Sequence, residues 1–169
     1  MRMTHRIAPC LWFDEEAEEA AAFYVSVFKH SRIISLARYT AAGYEIHKRP
    51  AGSVMTVAFE LDGQPFTALN GGPAFTFNEA VSLQINCESQ AEVDYYWDML
   101  SEGGDVTAQQ CGWLKDRYGL SWQVVPTVLP ELLKNYESAQ AQGAMKALLR
   151  MKKIDIAELE RAAGAVTSR

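Results

Sequence analysis

Asp14-Glu15-Glu16-Ala17-Glu18-Glu19-Ala20-Ala21-Ala22-Phe23-Tyr24 follows a short apolar run and reads as a strand end, a cap and an amphipathic helix. Cys87-Glu88-Ser89-Gln90-Ala91-Glu92-Val93-Asp94-Tyr95-Tyr96-Trp97 reads the same way. Laying Phe23-Tyr24 on Tyr96-Trp97 gives an offset of 73 positions, which also aligns Glu15 with Glu88 and Glu19 with Glu92. A repeat of this kind decides the fold, because each half is one supersecondary unit seen twice.

Outward from the first helix, Ile7 to Phe13 is strand-like, and Asp14 is the expected N-cap with glutamates in the first turn. Ala17, Ala20, Tyr24, Val27 and Phe28 share one helical face. Ile33 to Tyr39 reads as a strand and Ala41 to Pro50 as a loop. Ser53 to Leu61 alternates, with Met55, Val57, Phe59 and Leu61 on one side. Asp62-Gly63 marks a hairpin that returns through Phe66 to Asn70.

The second half repeats the order. Val81 to Cys87 is a strand, Ser89-x-x-Glu92 is a capping box, and Val93, Tyr96, Trp97 and Leu100 form a helical stripe. Strands are predicted near Val106 to Gln110, Gly112 to Lys115 and Leu120 to Val125. After Pro126 come helical patterns at Glu131–Tyr136, Ser138–Met151 and Asp155–Ala163. The stripe of Ala144, Leu148 and Met151 needs a packing surface, on this chain or on a second copy.

The expected fold class is therefore α+β. Residues 1–126 form two βαβββ modules, about 7–73 and 80–126, whose curved mixed sheets surround a shared cleft. Residues 127–169 are a C-terminal helical extension.

The chain has 169 residues, a formal charge of −5 and 49% hydrophobic residues, which suits a globular protein and not a nucleic-acid partner. No apolar run approaches the roughly 20 residues of a membrane span. Cys10, Cys87 and Cys111 lie in apolar stretches without metal-type spacing and read as buried thiols in a reducing compartment, so the expected location is the cytoplasm.

The sequence resembles the vicinal oxygen chelate superfamily, which includes glyoxalase I, extradiol dioxygenases and the bleomycin and fosfomycin resistance proteins. It is most similar to the PhnB-like branch, whose members are labelled 3-demethylubiquinone-9 3-methyltransferase domains. The residues that carry the resemblance include Pro9-Cys10-Leu11-Trp12-Phe13-Asp14, Phe23-Tyr24-x-x-Val27-Phe28 and Leu69-Asn70-Gly71-Gly72-Pro73. Cys111-Gly112-Trp113-Leu114-Lys115-Asp116 and Gly119-Leu120-Ser121-Trp122-Gln123-Val124-Val125-Pro126 add to it.

The resemblance implies metal ligands on the first and last strand of each module, usually His, Glu or Gln. Counted from the Phe-Tyr pair and the turn glycines, those positions here are Pro9, Thr67, Ser82 and Gln123. The strand and hairpin offsets, 73 and 56, differ by 17, which an insertion around Ala41–Pro50 absorbs. A proline, two alcohols and one amide are a poor set for a transition metal, which takes imidazole, thiolate or carboxylate. No metal and no cofactor is expected, and no catalytic residue is identified. Gly71-Gly72-Pro73 and Gly103-Gly104 also lack the strand–turn–helix setting of a nucleotide-type loop.

What remains is a pocket for a small apolar or aromatic molecule. Its candidate contacts are Leu11, Phe13, Met55, Thr67, Ser82, Gln84, Trp113 and Gln123. Trp113 and Trp122 equally suit a sheet core, and Lys115 suits a solvated turn. The alternative is a superfamily enzyme, a metal-dependent lyase, isomerase or dioxygenase, or a methyltransferase, working through Gln123, Glu60 or a cysteine. Members of the superfamily often dimerise, so the resemblance implies a homodimer.

Overall fold

The computed structural model describes residues 5–164, and the ends of the predicted 1–126 and 127–169 segments lie outside the described residues. The chain divides into two compact units, one ending at Phe77 and the other beginning at Asn78.

The first unit holds β1 (Cys10–Phe13), α1 (Ala17–Val27), β2 (Arg32–Arg38), α2 (Tyr44–His47), β3 (Val54–Leu61) and β4 (Gln64–Asn70). Its sheet has the order β1-β4-β3-β2, with β1 parallel to β4 and the other pairs antiparallel. Side chains alternate across a strand. Leu11, Phe13, Val57, Phe59, Leu61, Phe66 and Ala68 are buried on one face, under Ala17, Ala20, Ala21, Tyr24 and Val27 of α1. The opposite, open face carries Cys10, Trp12, Thr56, Ala58, Glu60, Thr67 and Leu69, none of them fully buried.

Helix α1 is not capped by Asp14. Glu16 takes the N-cap position without a side-chain bond, and the cap comes from another element. Asn70, at the end of β4, accepts from Ala17 N at 2.8 Å and donates to Val54 O at 3.1 Å. Asp14 and Glu15 instead hold the guanidinium of Arg49 at 3.0 and 2.7 Å. The predicted loop at Ala41–Pro50 contains one helical turn, α2, entered through Gly43 at φ 82° and left through Lys48 at φ 56°.

The second unit holds β5 (Ser82–Cys87), α3 (Gln90–Ser101), β6 (Trp113–Lys115), β7 (Ser121–Pro126), α4 (Val128–Leu133), α5 (Ala139–Leu148) and α6 (Ile156–Gly164). Its sheet has the order β5-β7-β6, with β5 parallel to β7. The strand predicted at Val106 to Gln110 is a 3-10 turn, Val106–Ala108. Asp105 explains the difference: its carboxylate accepts from Thr107 N at 2.9 Å and from the Thr107 hydroxyl at 2.7 Å, a local bond that competes with strand pairing. Only the bridge between Gln110 and Trp113 remains of that strand.

The helices after Pro126 belong to the second unit. Leu129, Leu132, Ala144, Leu148, Met151, Ile154, Leu159 and Ala163 form one core cluster with Val125 of β7. The Ala144, Leu148 and Met151 stripe thus packs on its own chain. Gln90 at the start of α3 ties this region down, accepting from Ile156 N at 2.8 Å and donating to Ile154 O at 3.1 Å.

Candidate functional site

The two modules align differently in their helices and in their strands. In the helices the buried pairs Ala20 and Val93, Tyr24 and Trp97, and Val27 and Leu100 all keep the offset of 73. In the first strands the buried pairs are Leu11 with Ile85 and Phe13 with Cys87, an offset of 74. The sheet registers agree, since Cys10 opposes Thr67 as Gln84 opposes Gln123. The cause is the connector: three residues separate Phe13 from α1, and two separate Cys87 from α3. A one-residue slip exchanges the faces of a strand.

That slip corrects part of the expected site. The counterpart of Ser82 is Ala8, not Pro9. Leu11 and Phe13 therefore lie on the helix-covered face, 7% and 4% exposed, with Phe13 packed edge-on to Phe77 at 5.2 Å. Met55 keeps step with Val57 and Phe59 and shares that covered side of β3. Leu11 and Phe13 are core side chains of the first unit, and Met55 is half-buried on the same side of its strand.

Thr67, Ser82, Gln84, Trp113 and Gln123 do stand on open faces. In the second sheet they fall in adjacent rows. Gln84, Gln123 and Trp113 are register partners across β5, β7 and β6, and Ser82, Ser121 and Lys115 form the next row. Gln123 Nε2 donates to Ser82 Oγ at 2.9 Å. Gln84 Nε2 donates to Asn86 Oδ1 at 2.8 Å. Beneath this face the Asp116 carboxylate, 2% exposed, accepts from Tyr118 N, Leu120 N and Trp122 Nε1 at 2.8, 3.1 and 2.8 Å, so Trp122 is core. Lys115 is ion-paired with Glu79, whose carboxyl is held below the usual range by that ammonium.

Glu60 and the cysteines are the groups on which the enzyme alternative would draw. Glu60 pairs with Arg32 at 3.0 Å. Desolvation pushes the Cys10 thiol up, and burial pushes Cys87 up to about 12, so neither favours the thiolate that attacks or binds metal. Among the described residues no three His, Cys, Asp or Glu side chains are close enough to hold a metal ion. The positions at which the resemblance implies ligands, Pro9 (or Ala8 by the strand register) with Thr67, Ser82 and Gln123, do not fit such an ion. They offer hydroxyls and an amide, and the amide is already bonded to one of the hydroxyls.

The paired glycines serve packing. A Cβ on Gly71 would sit 2.3 Å from the Trp12 indole, and one on Gly104 would sit 2.0 Å from the Lys115 carbonyl oxygen. Neither pair opens toward a bound nucleotide.

Residues 5–125 match the profile of the 3-demethylubiquinone-9 3-methyltransferase family. A PhnB protein from Bacillus cereus carrying the same methyltransferase name is 34% identical, over 73% of this chain and all of that one, with a TM-score of 0.63. Protein PA1353 from Pseudomonas aeruginosa is 21% identical over 73% of this chain and 98% of its own, with a TM-score of 0.55. FosX from Listeria monocytogenes, a fosfomycin resistance protein solved with Mn(II) and sulfate, is 13% identical over 80% of this chain and all of its own, with a TM-score of 0.52. The last two show the fold alone. No protein of curated function matches. The chain belongs to the PhnB-like, 3-demethylubiquinone-9 3-methyltransferase family of the vicinal oxygen chelate superfamily. Among the described residues no helix is long and apolar enough to cross a membrane.

Proposed function

We propose that this protein binds a small, uncharged apolar or aromatic molecule on the open face of a sheet, without a metal ion. One observation carries the reading. The Gln123 amide, at a position where superfamily relatives place a metal ligand, is hydrogen-bonded to Ser82 at another such position. Neutral groups that satisfy each other suit an organic ligand, which needs a largely apolar surface and a few oriented polar atoms. The free thiols support a reducing, cytoplasmic setting.

A homodimer fits the same reading. Strand β2 is one edge of the first sheet, and its Ile33, Ile34 and Leu36 are 37%, 48% and 41% exposed. Light scattering tests this arm, and a monomer at every concentration rejects it.

The binding arm is tested by melting the protein against a panel of small aromatics and, separately, against divalent metals. A ligand that binds only the folded state raises the melting temperature in proportion to its occupancy. Shifts with aromatics and none with Mn(II), Zn(II), Fe(II) or Ni(II) support the reading. A metal shift abolished by Gln123→Ala favours the enzyme alternative and removes this one.

A further inference from the structure

Helices α4 and α5 begin after residue 125, where the family match ends. Each buries one apolar stripe: Leu129 and Leu132 from α4, and Ala141, Ala144 and Leu148 from α5. A second apolar set is left over, with Leu133 half-buried, Tyr136 79% exposed and Met145 40% exposed. The link between the helices is tied by Ser138, which accepts from Ala141 N at 3.0 Å and donates to Asn135 O at 2.7 Å. A cavity of about 290 Å³ opens here, lined by Leu133, Tyr136, Ala141, Gln142, Met145 and Lys146. Its volume is at the lower end of what small organic ligands occupy.

Charge narrows the ligand class. Lys146 is the one ionisable cation in the lining, and no carboxylate lines the cavity. Lys134 reaches Glu131 at 4.0 Å and Lys153 reaches Asp94 at 2.9 Å, whereas Lys146 has no ion pair among the described residues. Glu137, the nearest acid in sequence to Tyr136, accepts from the Tyr136 hydroxyl at 3.0 Å. From Val128 onward the chain holds seven Lys or Arg against five Asp or Glu, a net +2 in a chain of −5. An apolar lining with one unpaired ammonium, on a basic segment, complements a molecule with a hydrocarbon body and one anionic head.

We propose that the cavity between α4 and α5 binds a free aliphatic monocarboxylate. The hydrocarbon chain lies against Leu133, Ala141 and Met145, and the carboxylate meets the Lys146 ammonium. The small volume holds one chain, which favours the free acid over a lipid surface. The site is separate from the open sheet face and does not depend on the reading proposed for that face.

Octanoate and 1-octanol are the probes, alike in chain length and different in charge. Calorimetry on the full chain at low salt gives tighter binding of octanoate, by about two- to fivefold, the worth of an exposed ion pair. The preference shrinks as salt is added. Lys146→Glu removes it while octanol still binds, and Lys146→Arg keeps it. Ala141→Leu fills the cavity and weakens both probes, and Met145→Ser, at a more exposed position, weakens both without relying on a buried change. Binding of neither probe to the wild-type chain overturns the site. Equal binding of the two, or a preference that survives Lys146→Glu, overturns the assignment of the carboxylate to Lys146. Octanoate binding that is lost in Gln123→Ala places the ligand on the sheet face and overturns the proposal. Binding to phosphatidylglycerol vesicles without binding to octanoate makes the segment a membrane contact and overturns it as well.

Discussion

Gln123 on β7 donates its side-chain N–H to the Ser82 hydroxyl on β5 across 2.9 Å. The bond joins the last strand of the second module to the first. Both residues stand where the family resemblance implies metal ligands, and here they bond to each other. A double-mutant cycle measures it directly. Ser82→Ala and Gln123→Ala are expected to couple by about 0.5–1.5 kcal/mol in urea unfolding, the usual net worth of a neutral hydrogen bond. Additive effects would mean that the two side chains act independently.

Asn70 links β4 to the start of α1 and to β3. Asn70→Ala removes the acceptor for Ala17 N and the donor to Val54 O, at a residue 7% exposed. The expected loss is about 1–3 kcal/mol, the range for a helix cap combined with stranded polar groups. Asn70→Asp keeps the acceptor for Ala17 N and should recover part of that loss. Chemical denaturation of the two variants orders them, and equal losses would remove the cap from the explanation.

Gly71 must stay without a side chain, because Trp12 occupies that space and its indole N–H donates to Gly72 O at 2.8 Å. Gly71→Ala is expected to cost about 1–3 kcal/mol, as overpacking does. Trp12→Ala in the same chain should relieve the clash, so that the second substitution costs far less in that background. A full penalty in both backgrounds would place the cause elsewhere.

The C-terminal helices should have a pH window. Lys153 lies 2.9 Å from Asp94 on α3. The Asp94 carboxyl is held below its usual range, first by the Lys153 hydrogen bond and then by Gln90, and the Lys153 ammonium is pushed up by Asp94. The carboxylate contribution is present above the ordinary aspartate range near pH 4 and is lost as pH falls through the lower folded value. The lysine contribution is present below about pH 10.4 and is lost as pH rises through its raised value. Amide exchange in 154–163 should quicken at both extremes, and Lys153→Ala should flatten the response. The bonds of Gln90 to Ile154 and Ile156 do not titrate, so the segment should loosen and not detach.

The architecture was legible because burial at helical spacing is a strong signal. Ala20, Tyr24 and Val27 announce α1, and Val93, Trp97 and Leu100 announce its copy. Ser89 and Ser138 cap the helices that their sequences suggested, accepting from Glu92 N and Ala141 N. The site was less legible for a geometric reason. One extra residue after Phe13 shifts the first strand against its repeat, and a single position decides which face a strand residue occupies. That shift sent Leu11 and Phe13 to the core while leaving Ser82, Gln84 and Gln123 on the open face. Asn70 as a helix cap could not be read either, because the contact spans 53 positions. The strand expected at Val106 failed for a local cause, the Asp105 turn, that the hydrophobic pattern does not record.

The proposal that stands or falls with the rest is that this protein binds its ligand without a metal ion. Protein purified without chelators and measured by elemental analysis should carry far less than one zinc, iron, nickel or manganese ion per chain, and added metal should leave its melting temperature unchanged. A stoichiometric ion that is lost on Gln123→Ala would contradict the account.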